Sequence, residues 1–319
     1  MIKTLKIIPI LIILSMLLTA CKSKELPLDY SKNYPVSSND KIGSRADGFS
    51  EALAVINSDV AGSLGFTVEE MSSAGLFDVN RRETLYAKNV HTQVAPASLT
   101  KIMTALIAIK YGNPEDVITC TSAVEDIDYD ATKIGLKEGD KLTMTQALYA
   151  LMINSANDAA VAIAEHMSGS VEAFSTLMNE EALKLGCTKT HFVNPHGLTA
   201  NDHYTTAYDL YLIMNEAIKY SAFNEIIQMT EYESVYKDSM GNDKSMSFKT
   251  TNLFLRGDYQ APENVTVIGG KTGTTNAAGN CLIMVVKDTS GNPYIAVIMK
   301  ASERTLVNSE MSELLREIN

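Results

Sequence analysis

Pro96-Ala97-Ser98-Leu99-Thr100-Lys101-Ile102-Met103-Thr104-Ala105-Leu106-Ile107-Ala108 places a serine three positions before a lysine at the start of an apolar run. The run predicts a helix from about Ser98 to Tyr111, stopped by Gly112-Asn113-Pro114. Residues i and i+3 share a helix face, so hydroxyl and amine can meet. A lysine aimed into an apolar helix is costly, which raises the question of its use. A serine hydroxyl is a poor nucleophile until a base takes its proton, and lysine is a base only when neutral. From its ordinary value near 10.4, the pKa must fall by roughly three units, or about 4 kcal/mol. Burial and a second nearby cation both push that way. The free N–H groups of a helix start can also stabilise an oxyanion. Alone, S-x-x-K arises by chance and equally fits a lysine snorkelling outward.

Two further clusters stand downstream. Ser155-Ala156-Asn157 interrupts two helical runs, Thr143–Ile153 and Asp158–Met167. In such a break a hydroxyl can relay a proton and an amide can hold a peptide carbonyl, although Ser and Asn are also ordinary capping residues. Gly269-Gly270-Lys271-Thr272-Gly273-Thr274-Thr275 ends a β-rich run. A lysine and a hydroxyl at a strand edge suit an anionic carboxylate, and Gly273 leaves room for a substrate backbone. The stretch is not a P-loop, because Val265 stands where its opening glycine belongs.

Together the order S-x-x-K, S-x-N, K-T-G is far more specific than any one cluster, and it is the constellation of penicillin-recognising serine enzymes. The flanking text agrees: Leu76-Phe77-Asp78-Val79, Glu83-Thr84-Leu85-Tyr86-Ala87-Lys88-Asn89, Asn154-Ser155-Ala156-Asn157-Asp158, Phe192-Val193-Asn194-Pro195-His196-Gly197-Leu198 and Gly270-Lys271-Thr272-Gly273-Thr274-Thr275. Over roughly residues 73–316 the chain resembles the D-alanyl-D-alanine carboxypeptidases of the low-molecular-mass penicillin-binding class. The resemblance implies a serine peptidase without a cofactor or metal. Its expected fold is an α/β (α+β) one: a five-stranded antiparallel sheet flanked by helices, with an inserted all-helical region. It implies that Ser98 is the acylated nucleophile, Lys101 its base and Ser155 a proton relay with Lys101. Asn157 would hold the substrate amide, and Lys271, Thr272, Gly273 and Thr274 would bind the D-Ala-D-Ala end. The N–H groups of Ser98 and Thr274 would form the oxyanion hole. The implied partners are peptidoglycan stem peptides and β-lactams, which acylate the same serine. Relatives also tend to carry an arginine near the last helix; Arg304 is the nearest candidate, loosely aligned and therefore left outside the expected site.

The strand-helix-strand order read from the residues agrees with that fold. Strand-like runs Ala74–Val79 and Glu83–Lys88 open the domain, and Val265–Lys271, Asn280–Lys287 and Tyr294–Lys300 follow late, before a helix over 305–318. Further helices are predicted at Val171–Leu185 and Tyr208–Tyr220, and 115–142 reads as irregular. The expected division is a signal peptide over 1–20, a lipidated N-terminus and tether over 21–48, and a catalytic domain over 49–319. Within that domain the sheet part covers about 49–97 and 260–319, and the helical region about 98–259.

Lys3 and Lys6 precede an apolar run over 7–18, too short for a membrane span and fitting a secretory signal. Leu18-Thr19-Ala20-Cys21 resembles a lipobox, predicting Cys21 as a lipid anchor on the outer face of the cytoplasmic membrane. The net charge of −11 argues against a nucleic-acid partner. The remaining cysteines, Cys120, Cys187 and Cys281, are odd in number and widely spaced, which predicts free buried thiols, with one pair still possible.

Three rival readings meet specific objections in the sequence. A class A β-lactamase needs Glu-x-x-x-Asn, and no glutamate here is followed by Asn four positions later. A β-lactam sensor domain would acylate without turnover and needs a link to a membrane span. A zinc peptidase needs H-E-x-x-H, which His91, His166, His191, His196 and His203 do not form; His196 reads as a turn residue.

Overall fold

The computed structural model describes residues 53–318. The expected signal peptide, lipidated Cys21 and tether lie outside the described residues. Strand β1 (Ser73–Asp78) pairs antiparallel with β2 (Glu83–Lys88) on one side. On its other side it meets β9 (Pro293–Ala301), reached only at the far end of the sequence. Then come β8 (Gly279–Lys287) and β7 (Thr266–Thr275), giving a five-stranded antiparallel sheet in the order β2-β1-β9-β8-β7. The central strands are buried on both faces, which is why they read as unbroken apolar runs. Alternate residues serve two cores. Ile295, Val297 and Met299 of β9 face the helical side. Tyr294, Ala296 and Ile298 face the closing helix α7 (Arg304–Leu315), which buries Val307, Met311 and Leu314 against them.

Between β2 and β7 the chain forms the helices that cover the first core. A single 3₁₀ turn, Ala97–Thr100, leads into α1 (Lys101–Tyr111). Residues 101–108 of α1 are all buried, so this helix has no outward face along which Lys101 could snorkel. Next come α2 (Met144–Tyr149), α3 (Asn157–Ser168), α4 (Val171–Lys184), α5 (Ala207–Ala217) and α6 (Ser221–Gln228). The capping box of Thr143 and Gln146 starts α2. No helix among the described residues is long and apolar enough to cross a membrane.

The inserted region is not all-helical, contrary to the expectation. It carries a second antiparallel sheet in the order β3-β4-β5-β6. Its members are β3 (Val117–Thr119), β4 (Lys141–Thr143), β5 (Glu231–Lys237) and β6 (Asp243–Lys249). β3 and β4 are three-residue strands, one inside and one at the end of the stretch read as irregular. The hairpin β5–β6 is half-buried, with Tyr236, Met246 and Phe248 turned inward between exposed neighbours. That alternation of period two is a strand signal. The expected helix over 143–153 also changes character: after Tyr149 it widens into a π turn, Ala150–Asn154.

Asp158 ties the helical region to the loop before β4. Its carboxylate, fully buried, accepts from the backbone N–H groups of Ile134 (3.0 Å), Gly135 (2.8 Å) and Leu136 (3.0 Å). A carboxylate beside the first turn of α3 also suits the positive helix end. Asp158→Ala would leave the buried N–H of Leu136 without a partner and return the more open N–H groups of Ile134 and Gly135 to water. At about 1–3 kcal/mol per lost partner, a loss of roughly 3 kcal/mol is expected. At ~2–4 °C per kcal/mol for a domain of this size, thermal denaturation should show Tm falling by roughly 6–12 °C. An unchanged Tm would remove the carboxylate from this role.

Candidate active site

The three clusters converge although they lie far apart in sequence. The 3₁₀ turn presents Ser98, half-exposed, one turn ahead of Lys101. Lys101 Nζ lies 2.9 Å from Ser98 Oγ, 2.7 Å from Asn157 Oδ1 and 2.7 Å from the carbonyl oxygen of His196. It is 0% exposed. Burial, then the Lys271 charge, hold its pKa well below the ordinary lysine value, against a smaller opposing pull from Asp158. The bonding pattern follows from that. A neutral amine has two N–H groups and one lone pair. Asn157 Oδ1 and the His196 carbonyl can only accept, so they take the two N–H groups. The lone pair is left facing the Ser98 hydroxyl, the geometry of a general base.

His196 therefore enters the site through its backbone. Asn194 Oδ1 accepts from the N–H groups of His196 (3.3 Å) and Gly197 (2.7 Å), bending the chain so that the His196 carbonyl meets Lys101. Gly197 has φ +88°, and a Cβ there would sit 1.8 Å from the Ala97 carbonyl oxygen. The imidazoles stay neutral: burial drives His196 to about 3 and His203 to about 4. His203 Nδ1 accepts from Val193 N–H at 3.1 Å. The proton then sits on Nε2, which donates to Thr100 Oγ1 at 2.9 Å, and Thr100 donates onward to the Ala97 carbonyl (2.9 Å). This chain holds the turn that carries Ser98.

Ser155 closes the π turn in the left-handed region at φ 65°. Ala97, just before Ser98, has φ 46°. A non-glycine residue in that region costs of order 1–3 kcal/mol and persists where the surroundings over-determine it. Both strained residues carry the site. Ser155 Oγ accepts from Lys271 Nζ at 2.9 Å, so its hydrogen bond runs to the second lysine, not to Lys101 as the expected relay required. Lys271 Nζ also donates to the Thr272 carbonyl at 2.9 Å. Burial lowers the Lys271 pKa to about 7.

β7 is an edge strand, and its outer side faces the Ser98 turn. A Cβ on Gly273 would meet Ser98 N at 2.9 Å and Ala97 Cβ at 3.0 Å. The close approach read from that glycine is thus first an approach of the protein's own Ser98 turn. On one side of Ser98 lies a cavity of about 200 Å³, walled by the hydroxyls of Ser155, Thr251, Thr272 and Thr274 and reached by Arg304. Lys271, 1% exposed, stands behind Ser155 and Thr272 and not on the wall. Thr251, bonded to Thr272 at 2.6 Å, is a wall residue that no motif marked. Arg304, set aside in the sequence for loose alignment, is brought to the wall by the first turn of α7. Cys120, Cys187 and Cys281 are all free and buried; burial keeps Cys281, on the same wall, a neutral thiol with its pKa at about 12.

Lysine burial has a stability signature. The folded-state pKa of Lys271 is near 7, while the unfolded chain keeps about 10.4. Between those values the unfolded state binds more protons, so this group makes stability rise with pH. Below pH 7 the full cost of burying the ammonium is present. Lys271→Met should therefore raise Tm at pH 7, by a few kcal/mol of stability. The gain should shrink toward zero near pH 10.5. A pH-independent difference between variant and wild type would contradict the shift.

Comparison with known proteins places this geometry. Residues 67–303 match the peptidase S11 family, D-alanyl-D-alanine carboxypeptidase. The D-alanyl-D-alanine carboxypeptidase DacF of Bacillus subtilis is 34% identical over 253 residues, covering 77% of this chain and 61% of that protein. A D-alanyl-D-alanine carboxypeptidase of Streptomyces sp. K15 is 30% identical, covering 73% of this chain and 81% of its own length. The crystal structure of the Streptomyces K15 DD-transpeptidase superposes with a TM-score of 0.71 at 27% identity, over 79% of this chain and 98% of that one. Penicillin-binding protein 5 of Haemophilus influenzae superposes at 0.68 and 26% identity, over 76% of this chain and 69% of that one. The chain spans about 61% of the length of the Bacillus relative. A serine–lysine pair at a helix start, an S-x-N turn and a K-T-G edge strand thus sit within a matched family region, and the chain belongs to the D-alanyl-D-alanine carboxypeptidase family, peptidase S11.

Proposed function

We propose that this chain is a serine-type D-alanyl-D-alanine carboxypeptidase that removes the terminal D-alanine from peptidoglycan pentapeptide stems and is acylated by penicillin at Ser98. The observation that carries the reading is the bonding of Lys101, whose two N–H groups are occupied and whose lone pair faces Ser98 Oγ. Ser98 Oγ attacks the penultimate carbonyl carbon as its proton passes to Lys101 Nζ. The N–H groups of Ser98 and Thr274 receive the oxyanion. The C–N bond breaks, and the leaving amine takes a proton from the Ser155 hydroxyl, which the Lys271 ammonium replenishes. After the amine departs, Lys101 gives its proton to solvent and Lys271 regains one from solvent, so Lys101 is again a neutral base. Water then attacks the ester, its proton passes to Lys101, and Lys101 returns that proton to Ser98 Oγ as the ester C–O bond breaks. Asn157 holds the acyl-side amide. The terminal carboxylate lies among the hydroxyls of Ser155, Thr272 and Thr274, with Arg304 beside it and the Lys271 charge behind. The catalytic domain covers 49–319, behind a tether over 21–48 and a signal peptide over 1–20. Cys21 carries the lipid that holds the enzyme at the outer face of the cytoplasmic membrane, supported by the Leu18-Thr19-Ala20-Cys21 sequence.

Purified 22–319 should release D-alanine from a peptide ending in D-Ala-D-Ala and be labelled by fluorescent penicillin. Ser98→Ala should abolish both, and Lys101→Met should slow acylation by at least a hundredfold. Release that survives Ser98→Ala, or that EDTA stops, would sink the serine mechanism. In cells, globomycin should block processing at Cys21, giving a larger precursor on gels; processing that continues normally would remove the lipid anchor.

A further inference from the structure

The two sides of Ser98 carry opposite charge. The carboxylate-side cavity has Arg304 as the charged residue of its wall, backed by Lys271. Across Ser98 lies a wider cavity of about 530 Å³, which shares Ser98, Thr132 and Thr274 with the first. The charged residues of its wall are Asp128 and Asp130, both exposed. Lys133 Nζ is turned to the loop's own backbone, donating to the carbonyls of Ile127 (3.2 Å) and Asp128 (2.9 Å). It props the loop and is not on the cavity wall.

A second feature fixes what enters there. Asn157 is 4% exposed and lines this cavity. Its Oδ1 is taken by Lys101 at 2.7 Å, while its side-chain NH₂ has no hydrogen-bond partner among the described residues. An amide NH₂ that opens onto the cavity beside Ser98 and meets no acceptor of the protein suits a substrate carbonyl, that of the acyl-side peptide bond. With the terminal carboxylate in the first cavity, the substrate chain must leave through the second. Ser98, Asp128 and Asp130 line one cavity, so the residue before D-Ala-D-Ala, about 3.5 Å of chain further on, enters the space that the aspartate loop walls.

From this juxtaposition we propose that Asp128 and Asp130 form a specificity site for a side-chain ammonium on the residue preceding D-Ala-D-Ala, so that the enzyme selects stems whose amine is free over those whose amine is acylated. The inference rests on the carboxypeptidase reading. Acylation of that amine removes the charge that the loop attracts. Because the aspartates are exposed, each pair is weak: screened surface ion pairs support a preference of about three- to tenfold for two together. It should fade as salt shortens the screening length.

The test compares Nα-acetyl-L-Lys-D-Ala-D-Ala with its Nε-acetylated form, using the wild type and Asp128→Asn/Asp130→Asn. At low salt the wild type should show a kcat/KM about three- to tenfold higher for the free amine. The double variant should lose that difference, as should the wild type in 0.5 M NaCl. Penicillin labelling and turnover of the acetylated peptide should not change in the variant. Asp130→Lys should reverse the preference. Equal kcat/KM for both peptides in the wild type, or a preference that survives the double variant, would overturn the proposal while leaving the carboxypeptidase reading intact. If neither peptide is cleaved, the carboxypeptidase reading fails instead. The same preference is then read from how well each peptide protects Ser98 from fluorescent penicillin, and equal protection would overturn the proposal.

Discussion

Two lysines are buried at one place, and burial pulls the pKa of each below the ordinary lysine value. Lys101 and Lys271 are both essentially inaccessible to water, and the charge of one depresses the pKa of the other. Desolvation alone would be paid by any buried amine. Here it is directed: the acceptors around Lys101 leave one open valence, and the Ser98 hydroxyl sits at it. In the proposed mechanism, the stability given up to bury two amines is the same quantity that would turn a poor base into an effective one, a trade common at functional sites.

The fold is arranged to bring that pair together. Lys101 belongs to a helix buried on every side, and Lys271 to the edge strand of a sheet assembled from both ends of the sequence. The two elements can touch because Gly273 and Gly197 have no Cβ where the Ser98 turn passes. The strained backbones of Ala97 and Ser155 then aim the two hydroxyls. Both are held by neighbours: the His203–Thr100 hydrogen bonds fix the first, and the π turn and Lys271 fix the second.

Much of this was legible in the residues. The strands of the large sheet read as apolar runs because both faces are covered, and α1 read clearly from its stop at Gly112-Asn113-Pro114. The second sheet was missed for two different reasons. β3 and β4 are too short to show a period, whereas β5 alternates in Glu231-Tyr232-Glu233-Ser234-Val235-Tyr236-Lys237 but lies inside the region that the resemblance implies is helical. Thr251 had no signal at all, since a threonine in a polar loop looks like any other. Arg304 had one, but its use depends on where α7 starts.

The residue types and their order, S-x-x-K, S-x-N and K-T-G, carry the resemblance to penicillin-recognising serine enzymes, and that resemblance implied the chemistry. They did not say which group each would face. Ser155 pairs with Lys271, 116 positions away, and Lys101 finds its other acceptors at Asn157 and His196, 56 and 95 positions away. Local sequence fixes the period of a helix and the strain of a turn. The direction of a lone pair is set by whatever the folded chain packs around it, and here those groups come from three separate elements.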